Sequence, residues 1–500
     1  MKAISYCYDS FYDLIGMQQY IKSLFIGGDF LVTILETELK KGIEQAIKKA
    51  KKSLAPILVS EVQKVEHIEP LSFFSAGKDK FYGERFFWKD PEEQTYLIGL
   101  GICKQIQNEQ LSDRFEAVEK EWDDLIKEAI VFNGDGKRGT GPLAFGGFSF
   151  DPLKEKTSLW SQYSHSLFHL PQFLLTLVDG ETYLTTNVVC TQYDDMTVWK
   201  KVFSDRQTIL SFASSSAALE MAQILKKEEV VNPDEWKDSV QKLVADLKAG
   251  QLKKVVLARE LRLFFKDKVA ADFVLPRLLK EQRASFTFAL ESNGDCFIGA
   301  SPERLVKKDN GQLFSTCLAG SIARGKTKEE DEHLGETLLS DEKNLIEHHY
   351  VVEMIKAAME KVCQQIELPT KPTLLKMRDI QHLYTPIVGE ALEDSTLLQV
   401  VDSLHPTPAL GGLPQREAVE KIRKIEALDR GFYGAPIGWL DYQGNGEFAV
   451  ALRSALIQGS EASLFAGCGI VEDSDAESEY AETNIKFRPM LSALGGLENE

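Results

Sequence analysis

Leu174-Leu-Thr-Leu-Val-Asp-Gly-Glu-Thr-Tyr-Leu-Thr-Thr-Asn-Val-Val189 contains two apolar, β-branched runs separated by an Asp-Gly pair. Asp179-Gly180 suits a two-residue turn whose central positions both need positive φ, so Leu174–Val178 and Tyr183–Val189 are expected to pair antiparallel. The same grammar recurs on either side. Phe86–Trp88 and Tyr96–Leu100 read as strands flanking an Asp90-Pro91 turn, and 60–202 as mainly strands and turns. Phe286–Leu290 alternates toward an Asn293-Gly294 turn, Val255–Leu263 reads as a strand, and strands recur around Gly444-Asn445-Gly446. Gly134–Gly147 is glycine-rich but lacks a lysine followed by Ser or Thr, so it reads as turns rather than a phosphate loop. Helices are inserted between these runs. Pro233–Ala249 has Asn232 as a cap, Pro233 in the first turn and an apolar stripe of Trp236, Val240, Leu243, Val244 and Leu247. Lys328–Gln365 reads as helical with a break near Gly335, and a last helix starts near Asp475. Strand runs with inserted helices, without regular βαβ alternation, indicate an α+β fold.

The 500 residues divide into 1–52, 53–229 and 230–495, the last two forming one integrated domain. Residues 1–52 read as an extension of unknown role that ends in a lysine-rich, helix-favouring run, with Met17 an alternative start. Leu24–Leu35 is apolar but short, interrupted by Asp29 and two glycines, and lacks a basic lead, so no signal peptide or membrane span is expected. The net charge of −18 argues against nucleic acid or an anionic membrane as partner. A small dianion stays compatible, given a local cationic pocket or a metal. Seven scattered cysteines without a CxxC pair indicate reduced thiols, neither a disulfide framework nor a zinc site. A cytoplasmic protein is expected.

Four islands in the second half carry chemistry. Lys254 leads a buried apolar strand, where desolvation can make it a base; taken alone it reads as a solvated strand-end lysine. Glu303, in Gly299-Ala-Ser-Pro-Glu-Arg304, follows small residues that allow close ligand approach, and can be a general acid or a surface carboxylate. Glu347-His348 lies inside the long helix. Glu479, Glu482 and Lys486 share one helix face, where carboxylates can hold a hard cation or simply meet solvent.

Together and in order, these islands resemble the chorismate-utilising enzymes: isochorismate synthases, salicylate synthases, anthranilate synthase component I and aminodeoxychorismate synthase component I. The resemblance covers roughly 230–495. It rests on KVVLAR (254–259), GASPERL (299–305), LAGSIARG (318–325), SDEKNLIEH (340–348), IQHLYTPI (380–387), LHPTPALGG (404–412), RGFYGAPIGW (430–439), ALRSA (451–455) and AGCGIVEDSDAESEYAETNIK (466–486). It implies two large, mainly antiparallel sheets packed face to face, flanked by helices, with a deep cleft between them. It implies Lys254 as the base that activates water for attack at C2 of chorismate, and Glu303 as the acid at the departing C4 hydroxyl. Glu347 and Glu482, with Glu479 close by, match Mg²⁺ ligands. His382, Tyr433, Arg453, Gly467 and Lys486 match positions that line the substrate or hold its carboxylates.

Within the family, ammonia-using members have Gln where Arg259 stands, and a covalent branch has a nucleophilic lysine where Ala319 stands. Water is therefore the expected nucleophile, and no glutaminase subunit is expected. Ala409 in His-Pro-Thr-Pro-Ala resembles the isochorismate synthase form, with salicylate synthase, which also releases pyruvate, as the alternative. Pro70-Leu-Ser-Phe-Phe-Ser-Ala-Gly-Lys78 and Gly83-Glu-Arg-Phe-Phe-Trp88 resemble menaquinone-specific isochorismate synthases; the siderophore branch is the alternative. A catalytically inactive binding module would be expected to have altered Lys254, Glu303, Glu347 or Glu482, and all four are present.

Overall fold

The structure is a computed structural model that describes residues 37–496 apart from 135, 214–221, 251 and 379. Cys7, Met17 and the Leu24–Leu35 stretch lie outside the described residues. The Asp-Gly hairpin forms with strands Ser166–Val178 and Glu181–Cys190, and both turn residues have positive φ, 52° at Asp179 and 76° at Gly180. Its period-two pattern sorts side chains between layers. Leu174 points into a central aromatic core, while Phe173 and Leu175 point to an outer core under helices.

Among the described residues the 21 strands join in one hydrogen-bonded network. Every pairing is antiparallel except that of Ile57–Val65 with Ile130–Phe132. Ser166–Val178 is the fork. One of its edges pairs with Thr95–Asn108 along its length; the other is shared by Leu143–Phe148 near its start and Glu181–Cys190 near its end. One arm continues through Arg85–Lys89, Phe286–Ser292, Asp295–Ser301, Ser454–Gln458 and Glu461–Ile470 to Lys254–Phe265. The other runs from Leu143–Phe148 through Pro436–Asp441, Gly446–Val450, Arg304–Asp309 and Gln312–Ala323 to Ile380–Ala391. The two expected sheets are thus arms of one continuous network. They pack face to face through aromatic side chains: Phe86 of the first arm stacks on Phe145 of the second at 4.6 Å, with Trp88 edge-on at 5.9 Å.

Helices cover both outer faces. Pro233–Lys248 is capped by Asn232 accepting from the Asp234 amide at 2.8 Å, and buries Trp236, Val240, Leu243 and Leu247. The lysine-rich run forms Thr37–Ser53, whose Leu39, Ile43, Ala46 and Ala50 enter the outer core beside Ile57–Val65. Two expectations need correction. The stretch read as strands and turns also contains the helix Arg114–Lys127, whose stripe of Phe115, Val118 and Trp122 lies buried. The long helix breaks at Asp341, not Gly335, giving Lys328–Ser340 and Glu342–Met359, and it ends before a strand at Cys363–Glu367. The Asp341 carboxylate caps the second helix by accepting from the Asn344 amide at 2.7 Å, a bond worth about 1 kcal/mol. Gly335 stays helical because its bare Cα packs close; a Cβ there would lie 2.6 Å from Leu374.

Candidate active site

The chain crosses between the arms at two neighbouring places, and each crossing carries a candidate residue. Asp295–Ser301 belongs to the first arm and Arg304–Asp309 to the second, so Pro302-Glu303 is a bridge. Ala451–Arg453 bridges Gly446–Val450 back to Ser454–Gln458. The bridges are stapled together: the Val450 amide donates to the Glu303 carbonyl at 3.0 Å, and the Ala300 amide to the Arg453 carbonyl at 3.1 Å. Ser301 Oγ donates to the Val450 carbonyl at 2.5 Å. Arg453 sits at φ 48°, a left-handed conformation that costs a non-glycine residue about 1–3 kcal/mol unless its surroundings hold it. The neighbouring bridge supplies that hold.

Glu303 is 6% exposed, and its carboxylate accepts no hydrogen bond among the described residues. Burial raises its pKa from 4.5 to about 7, although Lys254, Lys486 and Arg453 pull the other way. This carboxyl can therefore carry a proton near neutral pH.

Lys254 opens the strand Lys254–Phe265 and is buried, with Nζ donating to Glu347 Oε1. Gly469, beside it on Glu461–Ile470, makes room for its stem; a Cβ there would lie 2.5 Å from Lys254 Cε. Glu347 is on Glu342–Met359. Its neighbour His348 donates from Nδ1 to the Ala319 carbonyl at 2.9 Å and shares a hydrogen bond between Nε2 and Thr385 Oγ1 at 2.7 Å, fixing this helix on the second arm.

The C-terminal helix Ala476–Ala493, capped by Asp475, supplies the remaining charges. Lys486 Nζ donates to Glu482 Oε1 at 2.6 Å and to the Gly467 carbonyl at 2.8 Å. Lys486 lowers the pKa of Glu482 against burial, with smaller contributions from Arg453 and Lys254. Glu479 shifts upward, first through burial and then through the repulsion of Glu482, while Ser474 and Cys468 hydrogen-bond it.

His382 is held by Ser321, whose Oγ lies 2.7 Å from its Nδ1. The contact depends on a break in register between Leu318 and Ser321, where Gly320 adopts φ 83°. His382 Nε2 is buried without a hydrogen-bond partner among the described residues. Burial, reinforced by Arg453 and Lys486, lowers the pKa of His382 to about 3, so the ring is neutral. Tyr433 stacks on Phe465 at 5.5 Å, and burial raises its pKa.

The fold thus gathers Lys254, Glu303, Glu347, Glu482, Glu479, Lys486, Arg453, His382, Tyr433 and Gly467 into one neighbourhood, drawn from both arms and two helices. Ser321, which orients His382, and Gly469, which admits Lys254, are additions. Both lie inside the quoted motifs, but no residue type alone signals the contact. Among the described residues no three His, Cys, Asp or Glu side chains converge as a metal cluster. Mg²⁺ takes one or two carboxylates when substrate oxygens and water complete its shell. Glu347 and Glu482 are two hard oxygen donors, both close enough to Lys254 to interact with it, and this donor set fits the ion.

The sequence model of the family described as chorismate binding enzyme matches residues 45–495. The chain belongs to this family. Among relatives of this chorismate-binding chain, isochorismate synthase MenF of Bacillus subtilis is 44% identical over 478 residues, covering 93% of this chain and 99% of that protein. The salicylate biosynthesis isochorismate synthase of Pseudomonas aeruginosa is 34% identical, covering 92% and 95%. The structure of MenF, the menaquinone-specific isochorismate synthase from Escherichia coli, shares the fold with a TM-score of 0.73 at 23% identity, covering 91% of this chain and 99% of that one.

Proposed function

We propose that this chorismate-binding chain is a Mg²⁺-dependent isochorismate synthase. The observation that carries the reading is a carboxyl able to hold a proton near pH 7, Glu303, in the same buried neighbourhood as a lysine, Lys254. Converting chorismate to isochorismate adds water at C2 and removes the hydroxyl at C4, so one group must accept a proton and another must give one. Lys254 takes the proton from the incoming water, and Glu303 delivers its proton to the leaving oxygen. Net composition is unchanged. Arg453 and Lys486 hold carboxylate charge, and neutral His382 can donate or accept at Nε2. Glu347 and Glu482, with Glu479 nearby, would hold Mg²⁺, which would supply positive charge for the ring carboxylate. Placing these groups by the fold replaces the entropy of bringing them together in solution.

The 44% identity to the Bacillus subtilis enzyme supports isochorismate synthesis, and the 70–78 and 83–88 motifs support service in menaquinone synthesis; the chain acts in the cytoplasm and without a glutaminase subunit. Among the described residues no helix is long and apolar enough to cross a membrane. The Pseudomonas aeruginosa relative keeps a salicylate- or siderophore-directed synthase as the second reading. Purified protein incubated with chorismate and MgCl₂, with coupled pyruvate detection, decides among isochorismate synthase, salicylate synthase and inactive protein. Isochorismate without pyruvate is expected, and chelation should stop its formation. Pyruvate release equal to turnover would make the chain a salicylate synthase, and no conversion would refute the enzyme assignment.

A further inference from the structure

The cleft extends past the side chains used above. A pocket there is lined by His382 and Arg453 and also by Gln282, Ser285 and Arg378. Gln282 ends the helix Ala271–Glu281, and its backbone is fixed on both sides. Its amide donates to the Leu278 carbonyl at 2.8 Å, and its carbonyl accepts from Ser285 at 3.2 Å. Its side chain is 8% exposed, yet Nε2 has no hydrogen-bond partner among the described residues. Buried amide donors are nearly always paired, so an unpaired one on a residue that lines a cavity points to a ligand oxygen that completes it. His382 Nε2 is a second such atom on the same cavity.

Arg378 stands on the facing segment. Its Nη1 donates to Glu281 Oε2 at 3.0 Å, and both side chains are about one-third exposed. Solvent-screened pairs of this kind are weak and exchange readily. The whole chain carries a charge of −18, which opposes the approach of a dianion, so a local cation at the entrance matters for encounter.

We propose that Gln282 and Arg378 form the entry wall of the cleft and capture a carboxylate of the incoming substrate. Arg378 exchanges Glu281 for the substrate oxygen, and Gln282 Nε2 donates to the same group. The proposal rests on the reading of this site as one that takes chorismate, a dicarboxylate. It assigns recognition to residues outside the base, acid and metal set.

The test is steady-state turnover of chorismate by the full chain at low and high ionic strength, with thermal unfolding measured on each variant. Arg378→Gln is expected to lower kcat/KM about tenfold, chiefly through KM, and to flatten its dependence on salt. Arg378→Lys should restore the salt dependence. Gln282→Ala should raise KM several-fold. If Arg378→Gln and Gln282→Ala unfold like the wild type and keep its kcat/KM and salt dependence, the proposal is overturned alone. Absence of chorismate turnover by the wild-type chain overturns the functional reading, and this proposal with it.

Discussion

Two buried ionic clusters in this molecule both combine carboxylates with cationic side chains and differ in how completely they are paired. On the outer face of the first arm, Arg85 is 1% exposed and lies 4.1 Å over the Phe74 ring. It donates from Nη2 to Asp272 Oδ2 at 2.8 Å and to Glu291 Oε1 at 2.6 Å, and from Nε to Glu291 Oε2 at 2.9 Å. Ser75 Oγ donates to Asp272 Oδ1 at 2.7 Å, and the Gly83 amide gives Glu291 Oε2 a second bond at 2.9 Å. Burial opposes these charges, yet pairing prevails, so the Arg85 pKa is raised and that of Asp272 lowered. In the cleft, by contrast, the buried Glu303 carboxylate accepts no hydrogen bond among the described residues and shifts toward its neutral form. A matched cluster keeps its charges fixed and holds structure. An unmatched one leaves a proton free to move, which suits chemistry.

The sharpest way to separate the clusters is to truncate one cation from each. Lys254→Ala is expected to lower turnover on the order of 10³- to 10⁴-fold with little change in unfolding temperature. Near-normal turnover would remove Lys254 as the base. Arg85→Ala should do the opposite, costing about 3–5 kcal/mol of stability by stranding Asp272 and Glu291, with turnover per folded molecule kept. Denaturant unfolding within 1 kcal/mol of wild type would show that the matched cluster contributes little.

Glu303 tests the comparison through pH. The folded chain binds this proton more tightly than the unfolded chain does, so stability declines as pH rises from about 4.5 to about 7 and stays reduced above. The shift corresponds to at most about 3 kcal/mol. Glu303→Gln should therefore be more stable than wild type at pH 8 and similar near pH 4.5, while losing turnover. A variant no more stable at pH 8 would mean that the wild-type carboxylate is satisfied after all. The smallest effect is expected at the metal side. Glu347→Gln and Glu482→Gln should raise the Mg²⁺ concentration for half-maximal activity about 10- to 100-fold. An unchanged Mg²⁺ titration would remove them as ligands.

The sequence by itself determined the local elements and the roster of candidate residues. Asp179-Gly180 and Asn293-Gly294 are legible because few residues tolerate positive φ in succession, and Asn232 because helix caps have a short list of side chains. The ordered motifs pointed to the family and to Lys254, Glu303, Glu347 and Glu482. The helix break falls at Asp341 rather than near Gly335, since a buried glycine looks like a breaker, and the helix Arg114–Lys127 lies in a stretch whose overall pattern is strands and turns. Only the tertiary structure decided the fork at Ser166–Val178, the two stapled bridges at Glu303 and Arg453, and the register break that brings Ser321 to His382. The Ser301–Val450 bond between the bridges spans 149 positions and the Ser321–His382 contact spans 61. Their proximity depends on non-local strand pairing, and so does the desolvation that sets Glu303 apart from Arg85's carboxylates; no local spacing encodes either.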